Sequence, residues 1–334
     1  MACNAIIQGM KEWVVPSSSE GQRIEKFVRK VLNEAPLSFI YKAFRKKDVK
    51  INGHWVKKDA IVHEGDTVRV YVTDEQLKDF SQEREVEKKE LDVPIIYEDD
   101  NILILDKPAG LLVTGDEGEK RNTLSRKVLD YLYLKGEFDP KEHSFVPSPA
   151  HRLDRNTGGL VVFGKTDAAL KELEEAFKER VGLEKHYLAL VVGDVAEGGD
   201  IEAPLKKDTK MGLVKVTPVK EGGKSAHTIY KVKERFGPAT LFEVDLLTGR
   251  THQIRVHMAY IKHPIVGDGK YGDFQENRKY NSKYGFNRQF LRAYSLTFKG
   301  LKAPLDYLSN RTFHSHLSED ELVIIEDLRK EKSK

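Results

Sequence analysis

The sequence predicts an α+β protein: a largely antiparallel mixed sheet with flanking helices, preceded by a small N-terminal α/β module. Three observations carry that expectation. Six apolar, β-branched or alternating runs lie beyond residue 100, and only three clear helical patterns fall among them, too few for a helix after every strand. The first 72 residues instead show two helical patterns followed by a hairpin signal. Charge also changes sign along the chain: residues 21–72 hold twelve Lys or Arg against six Asp or Glu, and residues 73–92 hold eight acids against four bases.

Taken in order, residues 1–20 read as a short extension of no evident purpose. Ile24, Phe27, Val28, Val31 and Leu32 then recur at helical spacing. Pro36 interrupts, Ser38 offers a cap, and Phe39, Ile40, Ala43 and Phe44 mark a second helix. Val49 to Ile51, Asn52-Gly53 and His54 to Val56 predict a hairpin, because Asn-Gly accepts the positive φ angles of a tight turn. Gly65-Asp66 leads into a strand over 67–72. The module therefore spans 21–73, and a charged segment poor in large apolar residues, 74–92, predicts a linker. A second domain over 93–317 has strand candidates at 101–106, 160–163, 187–192, 228–233, 241–247 and 290–298, and helices at 123–134, 167–180 and 251–261. Residues 318–334 predict a terminal helix ending in a basic tail.

Composition narrows the function classes. No apolar run approaches the length of a membrane span, and no basic-then-apolar leader opens the chain, so no membrane partner is expected. The single cysteine, Cys3, cannot form an internal disulfide, a zinc ribbon or an iron–sulfur site, and it fits a reducing cytoplasm. The basic module followed by an acidic connector implies a surface that meets a polyanion.

Chemistry concentrates in His151-Arg152-Leu153-Asp154-Arg155-Asn156-Thr157-Gly158-Gly159, which runs directly into Leu160-Val161-Val162-Phe163. An Asp set among cations on a turn at the mouth of a strand is a candidate nucleophile or general base. The same residues would equally serve as a surface ion-pair cluster. Gly159 to Thr166 also matches a phosphate-loop pattern, but Leu, Val, Val and Phe at its centre predict extended, buried backbone rather than a loop curled about an anion. His252 and His257 lie five apart with no nearby carboxylate in sequence, which predicts core or RNA-facing residues rather than metal ligands.

The segment from Ala150 to Lys165 resembles the signature of the RluA-type pseudouridine synthases. Three further blocks follow that family's order: Ile95-Ile-Tyr-Glu-Asp-Asp-Asn-Ile-Leu-Ile-Leu-Asp-Lys-Pro-Ala-Gly110, Lys185-His-Tyr-Leu-Ala-Leu-Val191, and Thr248-Gly-Arg-Thr-His-Gln-Ile-Arg-Val-His257 with Lys262-His-Pro-Ile-Val-Gly-Asp268. The small module, with Arg45, Lys46, Lys47 and Lys50, resembles the RNA-binding domain of ribosomal protein S-four. Together the resemblances imply isomerisation of uridine to pseudouridine in structured RNA without cofactor or metal. The RNA expected is that of the large ribosomal subunit, with transfer RNA, or an RNA-binding assembly factor without chemistry, as the alternatives. No obligatory protein partner is implied.

By the same resemblance Asp154 is the catalytic residue, Arg255 its basic partner, and Tyr187 the tyrosine that stacks on uracil. Arg152 would fill the space left by an extruded base, and Ile254 would line the pocket. His151, Arg155 and Arg250 complete the implied RNA-facing set. Two positions depart from the pattern: Thr157-Gly158-Gly159 replaces the more usual Thr-Ser-Gly, and Arg292 stands where His is common, an exchange expected to alter RNA contacts.

Overall fold

The computed structural model describes residues 9–16, 19–80, 86–116, 118–119, 121–140, 145–179, 182–208 and 211–333; Cys3 lies outside them. The chain divides into two compact units, one holding residues 1–91 with 128–147 and 165–168, the other holding the rest.

In the first unit the chain order is β1 (Met10–Val14), α1 (Ile24–Val31), α2 (Leu37–Arg45), β2 (Val49–Ile51), β3 (His54–Trp55), β4 (Thr67–Tyr71) and α3 (Asp74–Phe80). The helical spacing is realised: Ile24, Phe27, Val28 and Val31 of α1 and Ile40, Ala43 and Phe44 of α2 are buried in one core with Val49, Val68 and Val70. Pro36, not Ser38, stands at the N-cap of α2, so Ser38 falls inside the first turn. Asn52 and Gly53 both take positive φ, 49° and 84°, which is what a two-residue hairpin connection demands.

Two expectations are corrected here. Residues 10–14 are not a purposeless extension: β1 pairs antiparallel with β4, from Met10 opposite Tyr71 to Val14 opposite Thr67, and forms one edge of a sheet ordered β1-β4-β2-β3. Nor is the segment after residue 73 wholly a linker. Leu77 and Phe80 of α3 rest on the core, with the Phe80 ring 4.7 Å from that of Phe39. Two apolar residues among charges suffice to dock a short helix.

The second unit contains, in chain order, β5 (Ile95–Glu98), β6 (Ile102–Lys107), α4 (Leu124–Lys135, which runs on into the first unit), β7 (Ser148–Pro149), β8 (Gly158–Gly164), α5 (Asp167–Glu179), β9 (Leu183–Val192), β10 (Gly199–Glu202), β11 (Leu205–Asp208), β12 (Leu213–Val216), β13 (His227–Arg235), β14 (Ala239–Leu246), α6 (Gln253–Tyr260), α7 (Phe274–Tyr284), β15 (Leu291–Phe298), β16 (Thr312–His314) and α8 (Glu319–Lys332). The principal sheet runs β10-β13-β14-β9-β15-β8-β6-β5, with β16 on β15 and β7 on β8; β11 and β12 form a separate hairpin. Its pairings are antiparallel except β15 with β8. The α+β expectation holds.

Strand β8 is buried along its whole length. A Cβ on Gly159, whose φ is +112°, would lie 2.2 Å from the Ala293 carbonyl oxygen, and one on Gly164 would lie 2.6 Å from Leu170 Cβ. The glycines permit close approach of neighbouring backbone, so the phosphate-loop resemblance is a property of letters alone. Gly159→Ala is expected to destabilise the protein by at least ~2 kcal/mol, since it combines left-handed strain with overpacking; a lower denaturant midpoint at unchanged slope is the check.

Some boundaries shift for physical reasons. Strand β9 begins at Leu183 rather than 187, because polar Glu184, Lys185 and His186 pair with β15 at the sheet's half-exposed end. Helix α6 starts at Gln253 because His252 is left-handed, with φ 54°. Helix α7 is polar and buries only Tyr280 among its residues, so it leaves little periodicity to read; its signal is Asp273, whose side chain accepts from the amides of Gln275 and Glu276.

Candidate active site

Asp154 lies on the turn between β7 and β8, with the buried Leu153 anchoring the turn from inside. Its carbonyl accepts from Thr157 N at 3.1 Å, and its side chain is 29 % exposed. The turn is tied to the end of β6 by Lys107. That ammonium is fully buried and donates to the carbonyls of Pro108 (2.9 Å), Leu111 (2.8 Å) and Arg155 (3.0 Å), one acceptor for each of its three protons. Burial, with the charge of Arg292 nearby, lowers its pKa to about 7. The Arg155 carbonyl also accepts from Gly110 N.

Arg255 reaches the turn from α6. Its Nε and Nη2 donate to the two oxygens of Asp268, at 2.7 and 2.8 Å, and Nη1 donates to Asp154 Oδ2 at 2.9 Å. Asp268 is completely buried and accepts in addition from the amides of Lys270 and Tyr271. A bidentate pair fixes the plane of the guanidinium, so its remaining edge is aimed at Asp154 before any substrate arrives. Burial opposes the Arg255 charge, but the hydrogen bonds and charges of Asp268 and Asp154 outweigh it and strengthen the protonated form. Burial likewise opposes the Asp268 carboxylate, and Arg255 with the two amides still holds its pKa below the usual range.

His252 completes the group. Its Nε2 stands 3.8 Å from Asp154 Oδ2, and its Nδ1 is 2.8 Å from the Tyr271 hydroxyl. That hydroxyl also accepts from Val214 N at 2.8 Å, so the imidazole is held between Tyr271 and Asp154. Burial lowers the His252 pKa, against the pull of Asp154. Gln253 holds the approach to α6 through Thr248, Arg250 N, the His227 carbonyl and Thr228.

The other expected residues sort clearly. Tyr187 is buried on β9, opposite Ala293, which is itself opposite Gly159; the register thus sets it two strands from the start of β8. Ile254 is buried next to Arg255. Arg152 is exposed, and the exposed Arg250 donates to the Ser225 carbonyl. His257 bridges Thr228 and the Ala203 carbonyl and is a core histidine. On the first unit Arg45, Lys46 and Lys47 are exposed and Lys50 half-buried, with Lys47 over the Trp55 ring and Lys58 over that of Tyr41.

Three readings are corrected. The arginines flanking Asp154 are not its charge partners: Arg155 reaches Asp116 at 3.7 Å, and the partner is Arg255, 101 residues away. His151, expected to face RNA, turns its ring inward: it packs on Phe177 and accepts the Val162 amide, and burial pushes its pKa well down. Arg292 makes no external contact, being buried among Asp106, Glu321 and Ser315. Sequence reading missed Lys107, His252, Asp268 and Tyr271 as members of the site, although Lys107 and Asp268 stand inside recognised motifs.

Among the described residues one group could hold a cation, Asp200, Glu202 and His227 on β10 and β13, with donor atoms within 4.8 Å of one another; it shares no residue with the Asp154 site. No helix among those residues is long and apolar enough to cross a membrane.

A carboxylate on the turn into an interior strand, met by an arginine aimed at it from α6, is an arrangement suited to acid–base or nucleophilic chemistry. Comparison with known proteins makes that class specific. The RNA pseudouridylate synthase family matches residues 101–260. The ribosomal large subunit pseudouridine synthase C of Vibrio vulnificus (strain CMCP6) is 37% identical over 282 residues, covering 83% of this chain and 85% of the relative. The protein of the same name from Escherichia coli (strain K12) is 36% identical over 289 residues, covering 85% and 87%. Human RNA Pseudouridylate Synthase Domain Containing 4 shares the fold, with a TM-score of 0.55 at 22% identity, over 70% of this chain and 92% of that one. The chain belongs to the RNA pseudouridylate synthase family and is an RNA pseudouridine synthase, an isomerase of uridine in RNA.

Proposed function

We propose that this enzyme modifies ribosomal RNA of the large subunit, with Asp154 as the catalytic carboxylate acting on an extruded uridine. The observation that carries the assignment is the line Asp268–Arg255–Asp154, in which a buried, doubly held guanidinium presents one N–H to a partly exposed carboxylate. The reaction breaks the bond from the ribose C1′ to uracil N1 and forms one from C1′ to C5; N1 gains a proton and C5 loses one. A carboxylate can attack the nucleotide or prompt its rearrangement, and Arg255 stabilises it as charge changes hands. The uridine must leave its stack to reach Asp154. Arg152, exposed two residues away, is suited to fill the vacated place, and Tyr187 to stack on the flipped uracil.

The names of the two bacterial relatives support ribosomal RNA as substrate. Incubation with unmodified large-subunit RNA and with transfer RNA, followed by nucleoside analysis, tests this: pseudouridine is expected in the ribosomal RNA, and its formation only in transfer RNA overturns the substrate assignment.

The first unit is proposed as an RNA-binding domain like that of ribosomal protein S-four. Its exposed Arg45, Lys46 and Lys47, with lysines lying over Trp55 and Tyr41, offer charge to phosphates and rings to bases. Lys46→Ala/Lys47→Ala is expected to reduce the salt dependence of RNA binding, lowering the slope of log K against log salt by roughly 0.7–0.9 for each phosphate no longer neutralised. An unchanged slope removes those lysines from the interface.

A further inference from the structure

The C-terminal helix is joined to the catalytic turn by buried charges, and the join runs through Arg292. On β15, Arg292 is almost wholly buried; its Nε donates to Glu321 Oε2 at 2.7 Å, and its Nη1 donates to Asp106 Oδ1 at 3.0 Å and to Ser315 Oγ at 2.9 Å. Glu321, on the first turn of α8, has no exposed surface. Its Oε1 accepts from Arg288 Nη1 at 3.0 Å, and its Oε2 also accepts from Ser318 N, which makes the same carboxylate the cap of its own helix. Asp106 accepts further from Ser315 Oγ and His316 N, so the segment leading into α8 is fastened as well.

The other end of the join lies under Asp154. Arg292 is opposite Gly158 in the parallel register of β15 and β8, four residues after Asp154, and a Cβ on Gly158 would come within 2.9 Å of Arg292 Nη2. Asp106 immediately precedes Lys107, whose ammonium holds the Arg155 carbonyl. The neighbouring Gln289 donates to Thr157 Oγ1 at the close of the same turn. Thus one guanidinium meets β8, which leads out of the Asp154 turn, and β6, whose Lys107 ties that turn down, and Glu321 holds the same guanidinium from α8.

We propose that Arg292 and Glu321 are a positioning pair, through which α8 sets the placement of the Asp154 turn for catalysis. The proposal rests on the reading of Asp154 as the catalytic carboxylate. The pair depends on the planar fork of the guanidinium, which spans Asp106, Ser315 and Glu321 together. Misplacement of a reacting group by about 1 Å costs on the order of 100-fold in rate, so a small relaxation of this cluster is enough to show in turnover without disturbing the RNA surface.

The test is kinetic and uses the full chain. Glu321→Gln removes the charge and keeps the shape; kcat is expected to fall roughly 10- to 100-fold, with KM and RNA affinity within about twofold of wild type. Ile325→Ala is the control, because Ile325 is buried on the same helix and outside the ion cluster. It is expected to lower Tm at least as much as Glu321→Gln while kcat stays within twofold. Should Glu321→Gln fail to fold, Arg292→Lys carries the same test, since an ammonium keeps the charge but cannot bridge both carboxylates. Wild-type kcat in the Glu321 variant, or an equal kcat loss in Ile325→Ala, overturns the positioning pair. Turnover retained by Asp154→Asn would instead overturn the reading of Asp154, so the two failures are separable.

Discussion

Asp154→Asn is expected to lower kcat for pseudouridine formation by on the order of 10³-fold or more, the scale of removing a residue on which the chemistry depends, while RNA affinity stays within about threefold. Asparagine fills the same volume and can still accept from Arg255 Nη1, so the turn held by Lys107 should keep its form. What it lacks is the anion, and with it both nucleophilic attack and proton acceptance. Retention of even a tenth of wild-type turnover would move the chemistry to another group, for which His252, 3.8 Å away, is a candidate.

Arg255→Met is expected to be costly twice. Asp268 is buried and receives two of its hydrogen bonds from that guanidinium, and stripping a partner from a buried ion pair costs roughly 3–5 kcal/mol. Chemical denaturation should therefore show a much lower midpoint. Asp154 loses its donor in the same variant, so turnover falls as well. The double variant Arg255→Met/Asp268→Asn separates the effects. Asparagine leaves no buried charge and can still accept from Lys270 N and Tyr271 N, so most of the stability should return while kcat remains low. Recovery of turnover along with stability would show that Arg255 serves only the fold.

How much of this was legible in the sequence depended on range. Asp154 and Arg255 stood out because motifs bring each into view, and the helical and alternating patterns placed α1, α2, β8 and α5 within a few residues. Their pairing was implied only by the family resemblance, since nothing in Arg152-Leu153-Asp154-Arg155 itself says that the flanking arginines leave Asp154 to a partner from residue 255. Lys107 lay inside a recognised block, but its work is to donate to three carbonyls, and carbonyl positions are a property of the folded backbone. His252 and His257 look alike in the sequence; the left-handed backbone of His252 turns it toward Asp154 and leaves His257 in the core. Strand β1 was missed because its partner, β4, comes more than fifty residues later. In α8 the Ser318–Glu321 capping box was present in the letters, whereas the second use of Glu321, as partner to Arg288 and Arg292, required the sheet to be built first.

Tritium release from RNA labelled at C5 of uracil tests the central claim most directly, because that hydrogen leaves only when C5 takes the glycosidic bond. Wild-type enzyme and Asp154→Asn would be compared on the same unmodified ribosomal RNA, with binding measured in parallel. Release by the wild type and none above background by the variant, at equal RNA affinity, is the result predicted. Equal release by both proteins would contradict the assignment of the reaction to Asp154.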